Sequence, residues 1–227
     1  MNNALVVFSG GQDSTTCLFY ALSKYDKVWT IGFDYGQRHE VELACRREII
    51  DYVKFKFDNF VSDSVVDVNS FGQIAKCALT TDAEIVMQDN GLPSSFVPAR
   101  NLMFMTYAGA LAYLIKANTI ITGVCETDYS GYPDCRRTTM DAMQLALSLG
   151  MEHQIHIETP LMYLTKAQTW ELAEKVGGTE LVEFIVKNTH TCYEGDHQHF
   201  HPWGYGCGKC PACILREKGY NEYIASK

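Results

Sequence analysis

A short apolar run, Ala4-Leu5-Val6-Val7-Phe8, passes directly into Ser9-Gly10-Gly11-Gln12-Asp13-Ser14 and then into a stretch with helical character. Few local patterns restrict a fold as tightly. Five apolar residues in a row suit a strand covered on both faces. Two adjacent glycines permit a turn closed to other residues, and the helix that follows directs its positive end back at that turn. Strand, turn and helix together form a cradle for an anion: backbone N–H groups face it, and the hydroxyls of Ser9, Ser14, Thr15 and Thr16 add donors. The spacing differs from G-x-x-x-x-G-K-[ST], and the third glycine of a dinucleotide fingerprint is absent. An ordinary Gly-Gly turn between strand and helix is the plain alternative for this segment alone.

The rest of the chain repeats the strand-then-helix order. Apolar runs at 5–8, 28–33 and 119–124 alternate with helix-like stretches at 13–25, 38–55 and 101–116. That alternation predicts an α/β fold with a doubly wound, mostly parallel sheet. Ligands then bind beyond the carboxyl ends of the strands, where the glycine turn lies. A further strand is expected at 155–159. Thr165-Lys166-Ala167-Gln168 fits a capping box that begins a helix over 166–175, with Gly177-Gly178 closing it. Residues 62–98 have no clear period and read as a loop that orders over the site.

A chain of 227 residues supports one substantial core, so residues 1–227 are read as one unit that includes a cysteine-bearing segment at 188–227. At 47% hydrophobic and 20% charged, its composition is that of a soluble globular protein. The longest apolar stretch, 102–115, is broken by Thr106 and Gly109 and is too short for a bilayer span. The chain enters a strand almost at once, so no export signal is expected and the cytoplasm is the default. A net charge of −8 opposes non-specific binding to nucleic acid and implies that Mg²⁺ accompanies any triphosphate.

Of the nine cysteines, four fall at Cys192, Cys207, Cys210 and Cys213, spaced C-x14-C-x2-C-x2-C. Four thiolates complete a tetrahedral shell with no position left for water, which predicts one structural Zn²⁺ per chain. A fully reduced cluster, a redox disulfide and an iron–sulfur cluster are the alternatives. His190, His197, His199 and His201 lie in the same region. One of them could replace a thiolate, but a polar loop is the plainer reading.

Other segments sit where the predicted strands end. Tyr35 and Gln37, within Phe33-Asp34-Tyr35-Gly36-Gln37-Arg38-His39, would line an adenosine pocket, or simply form a turn before a helix. Arg100, in Val97-Pro98-Ala99-Arg100-Asn101, opposes the dipole at a helix N-terminus unless an anionic ligand is bound; a surface arginine is the alternative. Asp128, Tyr129, Tyr132, Asp134 and Arg136 fall within nine residues. They could stack, read and pair a planar substrate bearing an anionic group. Lys166 also works against a helix dipole unless it meets phosphate, which suggests a pyrophosphate ligand.

The segment SGGQDS at 9–14 resembles the signature of the PP-loop ATP pyrophosphatases, which implies adenylation rather than transfer of a terminal phosphoryl group. SGGQDST, FDYGQRH, VPARN, DYSGYPDCR, TPLMYLTKAQ and C…CGKCPAC then follow in order. Together they resemble the 7-cyano-7-deazaguanine synthase family of queuosine precursor biosynthesis, over essentially the full length. The resemblance implies conversion of 7-carboxy-7-deazaguanine, ammonia and two ATP into a nitrile. It implies a nucleotide site at Phe8, Ser9, Gly10, Gly11, Gln12, Asp13, Ser14, Thr15, Thr16, Cys17 and Leu18, with Tyr35 and Gln37. Asp13, Ser14, Lys166 and Arg100 would act in catalysis, and Asp128, Tyr129, Tyr132, Asp134 and Arg136 would hold the deazaguanine. A homodimer with neither nucleic-acid nor membrane partners is implied as well. No residue stands out as a general base. A PP-loop tRNA sulfurtransferase and a non-catalytic ATP-binding regulator are the rival readings.

Overall fold

The computed structural model describes residues 2–35, 41–74, 92, 94, 96–127 and 132–227. The strands are β1 (Asn3–Val7), β2 (Lys27–Asp34), β3 (Phe60–Asp67), β4 (Thr119–Ile121), β5 (His156–Glu158), β6 (Phe200–His201) and β7 (Gly204–Tyr205). The helices are α1 (Gln12–Lys24), α2 (Val41–Lys56), α3 (Asn69–Ile74), α4 (Arg100–Ile115), α5 (Arg137–Met151), α6 (Lys166–Asn188) and α7 (Pro211–Ala225). Five strands form one parallel sheet in the order β3-β2-β1-β4-β5. The chain therefore builds outward from β1 in one direction and then crosses to its other side. The crevice between β1 and β4 is the switch point at which such sheets bind ligands.

The two faces of β1 show why its sequence is continuously apolar. Ala4, Val6 and Phe8 pack with residues of α1, α2, α6 and α7, while Leu5 joins the opposite cluster with Met105 of α4 and Leu147 of α5. Successive side chains of a strand point to opposite faces, so a strand with helices on both sides needs no polar alternation.

One expectation is corrected. Residues 60–67 form β3, a parallel partner of β2, where a loop over 62–98 was expected. This strand lies at the sheet edge, with Val61 and Val65 exposed, so it lacks the apolar run that marks a central strand. The part of that expected loop at 75–91, 93 and 95 lies outside the described residues. The helix expected at 166–175 forms and closes at Gly177 and Gly178, whose φ/ψ (−136°, 17° and 70°, −175°) leave the helical region; a second helical stretch follows, so α6 is two helices joined at that kink. Its capping box forms as expected: Gln168 N–H donates to Thr165 Oγ1 at 3.3 Å, and Thr165 N–H donates to Gln168 Oε1 at 2.9 Å. The expected helix over 38–55 corresponds to α2, with 38–40 outside the described residues.

The C-terminal segment is fastened to the rest by Arg216 of α7. Its buried guanidinium donates to Trp203 O (2.8 Å), Thr191 Oγ1 (2.8 Å) and Ile185 O (3.2 Å), and burial lowers its pKa to about 10. Among the described residues, no helix is long and apolar enough to cross a membrane.

Candidate active site

The turn from β1 to α1 is shaped by a left-handed glycine. Gly10 has φ +98°, and a Cβ there would come within 2.8 to 2.9 Å of Arg46 and of the Glu42 carbonyl. Both conformation and space therefore require glycine. Ser14 folds back into the turn, where its Oγ accepts from the N–H groups of Ser9 and Gly10, each at 3.2 Å. Thr15 Oγ1 donates to Gly11 O at 2.8 Å, and Thr16 Oγ1 to Gln12 O at 3.0 Å. These hydroxyls brace the turn. Gly11 occupies the N-cap of α1 and offers no side chain to cap it, and a helix start of this kind suits an anion. The side chains of Phe8, Cys17 and Leu18 are wholly buried in the core, and Gln12 is buried beside them. Burial, followed by the charge of Asp13, pushes the Cys17 thiol well up.

Lys166 crosses to the same turn from the first position of α6. Its Nζ lies 2.8 and 3.0 Å from the two carboxylate oxygens of Asp13, itself in the first turn of α1. An adjacent carboxylate thus offsets the lysine at a helix N-terminus. Gly219 of α7 makes room for this arrangement: a Cβ there would stand 2.6 Å from Lys166 Cβ. On the other wall, Gly123 follows β4 so closely that a Cβ would lie 3.2 to 3.3 Å from Asp13 and Ser14. The glycine turn, Asp13 and Lys166 all border the switch-point crevice.

A second group lies at the start of α4. Ala99, at φ 63°, is its N-cap, and the Asp134 carboxylate accepts from Asn101 N–H at 3.1 Å. The buried Asp134 therefore caps the helix and complements its dipole. Arg100 extends over the rings of Tyr35 and Phe104, at 5.7 and 6.0 Å, and its buried Nε has no hydrogen-bond partner among the described residues. Burial works to lower its pKa, but Tyr35 and Asp134 outweigh that effect and hold it cationic. Tyr132 is buried and stacks on Phe96 at 5.5 Å. Arg136 is exposed, whereas its neighbour Arg137 turns inward to Thr159 Oγ1 at 2.8 Å. Gln37, Asp128 and Tyr129 lie outside the described residues.

The residue types in the motifs gave no sign of the support beneath the turn. Arg46 of α2 is buried; its Nε donates to Phe8 O at 3.0 Å, and its Nη1 to Asp63 Oδ2 at 2.8 Å. A second bond joins its Nη2 to Asp63 Oδ1, which also accepts from Thr30 Oγ1 at 2.6 Å. Arg46 thus ties the end of β1 to β3. A signal did exist: Arg46, Ile49, Ile50 and Val53 share one helical stripe, so this arginine had to be buried and partnered.

The four cysteines meet at one point. Their Sγ atoms all lie within 4.8 Å of one another, with Cys207–Cys213 at 3.9 Å and Cys192–Cys210 at 4.0 Å. A tetrahedral ion with metal–sulfur bonds of about 2.3 Å needs sulfurs about 3.8 Å apart, so the group can hold a metal ion. The histidines take other roles. His190 Nε2 bonds to Cys192 O (3.1 Å), His201 Nε2 to Gly206 O (2.9 Å), and His199 Nδ1 to Asp196 Oδ2 (2.7 Å). His197 stacks on Tyr205 at 4.1 Å. This segment also borders the glycine turn: the His190 carbonyl would be 3.5 Å from a Cβ at Gly11.

Residues 3–224 match the family described as "Queuosine biosynthesis protein QueC". The 7-cyano-7-deazaguanine synthase of Polaromonas naphthalenivorans (strain CJ2) is 57% identical, over 97% of this chain and 94% of that protein. That of Caulobacter vibrioides (strain NA1000 / CB15N) is 56% identical, over 97% and 93%. Among solved structures, a 4-thiouridine synthetase in an RNA complex with bound ATP aligns with a TM-score of 0.53 at 15% identity. It covers 98% of this chain and 50% of that one, a likeness of fold alone. With a family match over nearly its whole length, and relatives more than half identical, the chain belongs to the queuosine biosynthesis protein QueC family, on a PP-loop, adenine nucleotide alpha hydrolase-like fold.

Proposed function

We propose that the protein converts 7-carboxy-7-deazaguanine and ammonia into 7-cyano-7-deazaguanine, cleaving two ATP to AMP and pyrophosphate. The observation that carries this reading is the uncapped start of α1, with Lys166 against Asp13, at the switch point of a sheet whose close relatives bear that enzyme name.

A carboxylate is a poor electrophile because its oxygen cannot leave as oxide. Attack by that oxygen on the α-phosphorus of ATP gives an acyl adenylate and releases pyrophosphate. Ammonia then forms the amide as AMP leaves. A second adenylation, now on the amide oxygen, lets AMP depart as the C≡N bond forms. The protein's part is positioning and stabilisation of charge. The 9–15 turn and the α1 N–H groups would hold the pyrophosphate, with Mg²⁺ accompanying the triphosphate. Lys166 would exchange Asp13 for the departing diphosphate. Arg100, cationic over Tyr35 and Phe104, would face the substrate carboxylate or a phosphate. Tyr132 and Asp134, with Asp128, Tyr129 and Arg136, would hold the deazaguanine.

Cys192, Cys207, Cys210 and Cys213 would hold one Zn²⁺ in a closed shell, where it would fasten the C-terminal segment rather than take part in the reaction. We read residues 1–227 as one unit acting as a cytoplasmic homodimer. The test is incubation with ATP, Mg²⁺, ammonium and the carboxy-deazaguanine, followed by mass spectrometry of the base. The nitrile with AMP is expected; ADP with orthophosphate, or an unaltered acid, would overturn the reading.

A further inference from the structure

One carboxylate beside the glycine turn has no part in the steps above. Glu42 stands in the first turn of α2 and is half-buried. Its Oε1 would lie 3.7 Å from a Cβ at Gly11, and its own carbonyl lies against Gly10. The Ser9 side chain bonds to it, and the positive charge of Arg100 reaches it from α4. Glu42 therefore lies between the turn that would grip the nucleotide and the arginine that borders Tyr35, Tyr132 and Asp134.

An acid in that position is electrostatically adverse to binding a polyphosphate, so its presence calls for a chemical reason. The two other described carboxylates of the site are committed, Asp13 to Lys166 and Asp134 to the Asn101 amide. Among the described residues, Glu42 meets the Ser9 hydroxyl, with the Arg100 guanidinium acting on it by charge. The chemistry, in turn, needs a proton acceptor: ammonium must lose a proton before its nitrogen can attack, and the amide nitrogen must lose its hydrogens before a nitrile exists.

We propose that Glu42 accepts the protons released in the two nitrogen steps, and that its carboxylate is the receiving group for ammonium; this rests on the function proposed above. In the first step, ammonium gives one proton to the carboxylate. The freed lone pair forms the C–N bond at the acyl carbon, the C–O bond breaks with its electron pair on AMP, and the surplus N–H proton passes to solvent. Glu42 returns its own proton to solvent before the second step. Adenylation of the amide oxygen draws the nitrogen lone pair into a C=N bond, which leaves the nitrogen positively charged with two hydrogens. One of these is lost to solvent. The other goes to Glu42 as its N–H pair becomes the third C–N bond and AMP departs with the C–O pair. Burial raises the Glu42 pKa against the lowering pull of Ser9 and Arg100, which favours a group that both takes and returns a proton.

The experiment uses E42Q, which keeps the shape and a group for Ser9 to bond. Exchange of labelled pyrophosphate into ATP, with the carboxy-deazaguanine and no ammonium, reads adenylation alone. Nitrile yield, amide accumulation and KM for ammonium read the nitrogen steps. In E42Q, exchange should stay within about 3-fold of the parent, while nitrile formation falls by about 100-fold or more with amide accumulating. E42D should recover part of the loss. Parental nitrile turnover and an unchanged KM for ammonium in E42Q would overturn the proposal. Loss of exchange in both variants would also overturn it, by assigning Glu42 to the nucleotide site. Absence of exchange in the unaltered protein would instead remove the function beneath the proposal, and the proposal with it.

Discussion

Replacement of Asp63 by alanine tests whether the support under the glycine turn is as important as its geometry implies. Arg46 is 2% exposed and Asp63 14% exposed at the side chain, so their pairing is sheltered from solvent. Without the carboxylate, the guanidinium keeps, among the described residues, Phe8 O at 3.0 Å and Ser64 O at 3.4 Å. Leaving such a charge buried without its counter-ion costs about 3–5 kcal/mol. For a chain of this size, each kcal/mol lowers Tm by about 2–4 °C, so D63A should melt about 6–20 °C below the parent. Because the Arg46 backbone and Cβ form the floor beneath Gly10, ATP affinity should fall by about 10-fold, or about 1.4 kcal/mol. The double variant R46M/D63L removes both charges together and should lose less stability than D63A. Circular dichroism melts and titration calorimetry with ATP measure both effects. A D63A protein that melts within 2 °C of the parent and binds ATP as tightly, on the order of the assay error, would refute the reasoning.

Three further outcomes are expected. Gly219→Ala would force a Cβ to within 2.6 Å of Lys166 Cβ; overpacking of this kind costs about 1–3 kcal/mol, and displacement of Lys166 should slow AMP release, whereas parental kinetics would contradict the role of Gly219. Cys210→Ser should lose bound metal and lower Tm, as metal analysis and melting would register; a variant that melts like the parent would count against a structural ion. Glu158 accepts from Tyr20, Lys24 and Tyr25; burial alone would raise its pKa, and these bonds outweigh it and hold it below the usual range. Its stabilisation is therefore present above an unfolded-state pKa of about 4.3 and is lost as pH falls through the depressed native value. Glu158→Gln should flatten the fall of Tm in that acid window, and an unchanged slope would contradict the assignment.

The centre of the fold was legible because its local and tertiary demands coincide. Ala4 to Phe8 had to be apolar to lie between two helical layers, and the turn after it had to contain glycine to pass over Arg46. The capping box of α6 was readable for the same reason, since Thr165 and Gln168 satisfy each other locally. At the sheet edge the two demands diverge. Ser62, Asp63 and Ser64 form a strand through backbone pairing with β2, and their polar side chains carry no strand period. Gly177-Gly178 was readable as the end of a helix, but the second helical stretch beyond it, with Leu181, Val182 and Ile185 packed into the core, carries no such local signal. Asp63 and Glu42 could not be picked out from spacing, because their partners Arg46 and Ser9 reach them only through the tertiary fold. The capping of α4 by Asp134 was not readable for the same reason, since it joins residues 33 apart in sequence.

The central claim is that oxygen atoms of the bound acid capture the adenylyl group twice. The most direct measurement uses carboxy-deazaguanine carrying ¹⁸O in both carboxylate positions, turned over with ATP, Mg²⁺ and ammonium, with mass spectrometry of the AMP formed. Each nitrile produced should accompany two molecules of AMP, each bearing one ¹⁸O from the acid. Label recovered in water, pyrophosphate or orthophosphate, with unlabelled AMP, would contradict the account.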